Sequence, residues 1–204
     1  MKKIISSIIV IFLVFSILNM VSFAQNDTKT VENNDVPTFG AIRWDAWYGH
    51  TNKGWDVVSQ VERTLSPSQF HFRAPFFAKI TEDDKVIIPK YTQEIFDREM
   101  EYAKYAGIDY FAYIWYDEGD ENNAQKGMQK ARKFHQTSQY KNDVKMCVID
   151  PPIHDEARTE MSKILVSDYY MTVLNGRPLM YYINSGDNLS GIVEKIAYYQ
   201  ALCQ

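Results

Sequence analysis

The chain is expected to be an α/β protein, an incomplete (β/α)8 TIM barrel of about four parallel β/α units. Three observations predict this. From Pro37 onward, apolar runs of strand length alternate with segments of helical period. The later runs begin near residues 110, 144 and 179, a repeat of roughly 35 residues, close to the ~31 per unit of a typical ~250-residue barrel. No G-x-G-x-x-G follows any strand, so the phosphate chemistry of a doubly wound nucleotide-binding domain, the alternative with a four-stranded parallel sheet, is missing.

Taken in order, residues 1–24 read as a signal peptide. Lys2 and Lys3 precede an apolar stretch from Ile4 to Val21, which closes on Ser22-Phe23-Ala24. A secreted or periplasmic product with no stable membrane span after cleavage is the expectation. The rival is an uncleaved anchor, since the run nears the ~18 residues of a membrane span, although Ser6, Ser7, Ser16 and Asn19 dilute it. Residues 25–36 are polar and lack apolar periodicity, which predicts a disordered leader. The folded domain is expected over 37–204.

Within it, strands are predicted at Phe39–Trp44, Tyr110–Trp115, Val144–Ile149 and Leu179–Ile183, all as buried. Between them, Trp55–Leu65 reads as a short helix. Tyr91–Ala106 places Ile95, Glu99, Ala103 and Ala106 along one side with Phe96 and Met100 beside them, and Gly107 supplies the stop. Asn123–Ser138 repeats the period through Met128, Ala131 and Phe134, and Leu189–Leu202 does so through Ile192, Ile196 and Tyr199. A shorter helix is predicted around Met161–Tyr169.

With 26 acidic and 22 basic residues, the chain offers no broad basic surface, and nucleic acid is not an expected partner. Aromatic residues make up 14%, and large amphipathic rings suit both cores and ligands that are half apolar, half hydroxyl. Cys147 and Cys203 could pair in an oxidising compartment, or Cys147 could be a buried thiol within Met146-Cys147-Val148-Ile149. No cysteine has a metal-binding spacing, and no H-E-x-x-H or G-x-S-x-G is present. Neither a metal nor a cofactor is expected.

The chemistry is predicted just past the strands, because parallel strands point their carboxyl ends to one rim. Trp44, Asp45, Trp47 and Tyr48 follow the first strand; Trp115, Tyr116, Asp117 and Glu118 the second; Asp150 and His154 the third. The long connection from Asp45 to Lys90 adds Arg73 within an aromatic segment, Phe70–Phe77. Flat rings cover the C–H faces of sugars, while carboxylates and guanidinium bond their hydroxyls. Carbohydrate is therefore the expected partner, with these residues as substrate-binding groups. His135, on a helix, reads as structural, and Asp155 and Glu156 as capping or solvated acids.

At the same residues the chain resembles the glycoside hydrolase family 99-like proteins, which include endo-α-mannosidase relatives and WbsX-like proteins of polysaccharide loci. Gly40-Ala41-Ile42-Arg43-Trp44-Asp45-Ala46-Trp47-Tyr48-Gly49 is similar to the family's opening strand. Ala106-Gly107-Ile108-Asp109-Tyr110-Phe111-Ala112-Tyr113-Ile114-Trp115-Tyr116 is similar to its second strand, and Asn175-Gly176-Arg177-Pro178-Leu179-Met180-Tyr181-Tyr182 to the turn entering its fourth. The resemblance implies a (β/α)8 barrel acting on α-linked glycans, with acid/base glutamates in a later Glu-Trp-x-Glu-Gly-like segment. No Trp here adjoins a Glu, so the expectation is a chain truncated before its catalytic glutamates. Cleavage commonly needs two carboxylates flanking the bond, ~5–9.5 Å apart, and the neighbours Asp117 and Glu118 are awkward for that. A non-catalytic carbohydrate-binding half barrel and a glycosyltransferase-related protein are the alternatives.

Overall fold

Two central apolar runs set the architecture. Tyr110–Ile114 (β4) and Lys145–Ile149 (β5) pair in parallel, flanked by Gly40–Arg43 (β1) on one side and Met180–Tyr181 (β8) on the other. The computed structural model describes residues 37–45, 56–116, 123–183, 186 and 189–203. The protein is therefore an α/β protein with a four-stranded parallel sheet in the order β1-β4-β5-β8. Residues 1–24, with the signal-peptide reading, lie outside the described residues, as does the leader. Among the described residues, no helix is long and apolar enough to cross a membrane.

Among the described residues, five α-helices accompany the sheet: α1 (Val57–Leu65), α2 (Gln93–Tyr105), α3 (Asn123–Thr137), α4 (Asp155–Ile164) and α5 (Leu189–Leu202). Asp56 caps α1 and Thr92 caps α2, each accepting the backbone N–H three residues on. Gly107 ends α2 at φ 77, a left-handed position. Ile108 N–H bonds Ala103 O at 2.9 Å and Gly107 N–H bonds Lys104 O at 3.1 Å, closing two orphan carbonyls as the sequence predicts. The α4 prediction needs correction: the helix runs Asp155–Ile164, earlier than Met161–Tyr169. The residues beyond it turn instead to support the sheet, with Met146 N–H bonding Tyr169 O and Met171 N–H bonding Met146 O.

Among the described residues, two small antiparallel pairs interrupt the β/α rhythm. Lys79–Ile80 (β2) pairs with Val86–Ile87 (β3) inside the long first connection. Thr172–Val173 (β6) pairs with Arg177–Pro178 (β7) around a turn in which Leu174, Asn175 and Gly176 all have positive φ. The Gly-Arg-Pro segment thus belongs to a hairpin just before β8.

The register sorts the sheet into two faces. Arg43, Tyr113, Val148 and Met180 form one row across it, and by the period of two Phe111 shares their face. There Tyr113 Oη meets His135 Nδ1 of α3 at 2.9 Å, and the Arg43 guanidinium packs over Phe96 of α2 and over Phe111. The core gathers on this side with Met100, Met146, Met161 and Ile164. On the opposite face, Tyr110 and Tyr181 join their hydroxyls at 2.5 Å. Together with Gly40, Ile42, Ala112 and Ile183 they line a hollow of about 420 Å³. Gly40 is required there, because the Tyr110 ring lies where a Cβ would stand.

Only the inner strands match the expectation of burial. Ile42 is 71% exposed and Tyr181 and Ile183 are exposed, since β1 and β8 are edges and this face carries less cover. Cys147, in β5, is a buried free thiol that burial pushes up to about 12, and Cys203 is free and exposed.

Candidate functional site

At the carboxyl end of β1 the backbone alternation sends Arg43 inward, Trp44 out and Asp45 inward again. Asp45 is 4% exposed, and its two carboxylate oxygens accept from Arg43 Nε and Nη2, each at 2.8 Å. Arg43 Nη2 also donates to Glu99 of α2 at 2.6 Å and to Tyr91 Oη at 3.3 Å. Burial opposes the guanidinium charge, but Asp45, Tyr113 and Glu99 outweigh it and raise the Arg43 pKa. Glu99 is shifted upward by burial, against the pull of Arg43. Asp45 therefore turns away from the rim: its oxygens complete a buried ion cluster and do not face a ligand space.

Trp44, by contrast, borders a hollow. The side chain is 45% exposed and lines this space of about 530 Å³ with Val57, Gln60, Val61, Thr64 and Leu65 of α1, and with Arg73 and Pro75. Two residues predicted for the site from separate segments, Trp44 and Arg73, thus meet in one cavity of the size that holds small ligands. The turn Ser68–Arg73 presents Arg73. The aromatic segment beyond it is structural instead: Phe77 packs edge-on against Tyr91 and Phe76 against Tyr102 of α2.

The other predicted residues have different occupations. Trp115 is buried, with the Arg132 guanidinium of α3 stacked 3.9 Å from its ring. Arg132 in turn holds Glu160 of α4 through Nε at 2.7 Å and Nη2 at 3.0 Å. Burial alone would raise the Glu160 carboxyl, yet Arg132 holds it below the ordinary range. Tyr116 is half-buried. Asp150, at φ 55 past β5, accepts from Lys195 of α5 at 2.5 Å. His154 is the N-cap of α4, its Nδ1 accepting the Ala157 N–H at 3.2 Å, while Asp155 and Glu156 occupy the first turn, where negative charge suits the helix dipole. Trp47, Tyr48, Asp117 and Glu118 lie outside the described residues. Among the described residues, no group of three His, Cys, Asp or Glu is placed to hold a metal ion.

The sequence reading missed two participants, and each left a trace. Arg43 is a cation in a strand read as buried, and Glu99 is an acid within the apolar stripe of α2; a buried charge in either place calls for a partner. The α1 wall of the hollow left no such trace, because Gln60 and Thr64 are ordinary helix-surface residues until the chain brings Trp44 beside them. No protein-family model, curated protein or solved structure matches the chain.

Proposed function

We propose that the protein binds glycans at the carboxyl-end rim of the front half of a (β/α)8 barrel, as a secreted or periplasmic relative of the family 99-like glycoside hydrolases. The observation that carries the reading is the shared hollow of Trp44 and Arg73, an indole face and a guanidinium beside the end of a parallel strand. A sugar ring needs that pair: a flat apolar surface for its C–H face, and donors for its oxygens. The barrel part of the proposal is supported by strand order. The strands succeed one another in chain order, whereas a doubly wound sheet reverses its order at a switch point.

Binding is favoured over cleavage by the state of the acids. Asp45 and Asp150, the two described carboxylates predicted for the rim, are each held by a cation, Arg43 and Lys195. A carboxylate engaged by a neighbouring cation is less available to serve as one of the two acids that flank a glycosidic bond.

The test is isothermal titration of the full chain with α-linked mannotriose and a panel of other oligosaccharides, repeated with Trp44→Ala. Removing an aromatic anchor that fills a pocket costs ~2 kcal/mol or more, so affinity should fall about 30-fold for whichever oligosaccharide binds. An absence of binding across the panel, or unchanged affinity in W44A, would sink the proposal.

A further inference from the structure

The charges around the Trp44 hollow narrow the ligand further. Of the described side chains that line it, Arg73 alone carries a formal charge; Trp44, Val57, Val61, Leu65 and Pro75 are apolar, and Gln60 and Thr64 are neutral. The acids close to it in sequence are already engaged. Asp56 accepts from Ser59 N and Oγ at the start of α1, Glu62 accepts the Ile88 N–H at 2.7 Å, and Asp45 is taken by Arg43. Among the described residues, no carboxylate pairs with Arg73. A guanidinium beside an apolar wall exerts a field less damped than in open water, and its planar fork matches a carboxylate in two parallel hydrogen bonds.

We infer that the hollow takes an acidic sugar, a uronate whose ring lies on Trp44 and whose carboxylate reaches Arg73, in preference to a neutral one. This rests on the glycan-binding reading and specifies its ligand. A neutral ring would leave the guanidinium partly stripped of water without an anion to replace it, and so would gain only the stacking half of the site.

Isothermal titration of the full chain with trigalacturonate and with neutral mannotriose, at low salt and again at ~0.5 M salt, tests the inference. Charge-assisted pairing predicts roughly tenfold tighter binding of the uronate at low salt, with the advantage shrinking as salt screens the exposed pair. R73Q should abolish the preference and R73K should keep part of it; Arg73 is exposed, so neither change threatens folding. If mannotriose binds as well as trigalacturonate, or if R73Q retains the preference, the acidic-sugar inference falls while glycan binding stands. If neither oligosaccharide binds, the inference falls, and a panel with no binder takes the glycan-binding reading with it.

Discussion

Arg43 grips Asp45, two residues further along the same strand end, through a two-pronged contact with both oxygens at 2.8 Å, and reaches Glu99 on α2 with the same guanidinium. One buried cation thus ties the exit of β1 to the helix that follows the long connection. Trp44 sits between the two members of the pair, so its outward pose depends on them.

Arg43→Met should therefore destabilise the protein by about 3–5 kcal/mol, because two carboxylates lose their only described cation in a buried setting. Arg43→Lys keeps the charge but not the fork and should cost less. Urea unfolding at neutral pH measures both; a loss below ~1 kcal/mol for the Met variant would mean that the cluster is well hydrated.

His135 predicts an acid sensitivity. Burial, and then the nearby Arg43 charge, lower its pKa to about 3, against ~6.5 in the unfolded chain. Above pH ~6.5 both states are neutral and the full stability is present. As pH falls from there toward 3, the unfolded chain gains a proton that the folded state refuses, and stability is lost at up to about 1.4 kcal/mol per pH unit. His135→Gln should flatten the stability profile between pH 5 and 7, even if the variant starts less stable. An unchanged slope in that window would show that His135 takes up its proton while folded.

Gly40 and Tyr110 form a second testable pair. A Cβ at position 40 would stand 2.1 Å from Tyr110 Cζ, and the ring is tethered through its hydroxyl to Tyr181, which also helps push the Tyr110 pKa up to about 12. Gly40→Ala should cost about 1–3 kcal/mol through overpacking. In Gly40→Ala/Tyr110→Leu the clash is removed, so the two losses should be less than additive in a double-mutant cycle. Strict additivity would place the ring elsewhere in solution.

The local periodicities were enough to locate the four parallel strands, the α2 stop at Gly107 and the span of α5, because strand and helix repeats and a left-handed glycine act over a few neighbouring residues. The same local reading placed α4 too late: His154 looked like a ligand group beside Pro151-Pro152, and its capping bond to Ala157 became visible only with the backbone in place. Distance in the chain explains the rest. Arg43 meets Glu99 across 56 residues, and Arg132 covers Trp115 while holding Glu160 28 residues away. Whether an acid after a strand faces a ligand or a buried cation depends on sheet register and on which helix packs above it. The sequence by itself thus determined where the parallel strands and most of the helices run, and which aromatic and charged residue types follow the strands. Only the tertiary structure decided that Trp44 and Arg73 share a hollow while Asp45, Trp115 and His154 serve the fold, since partner choice among side chains is a contest of burial and charge settled by packing.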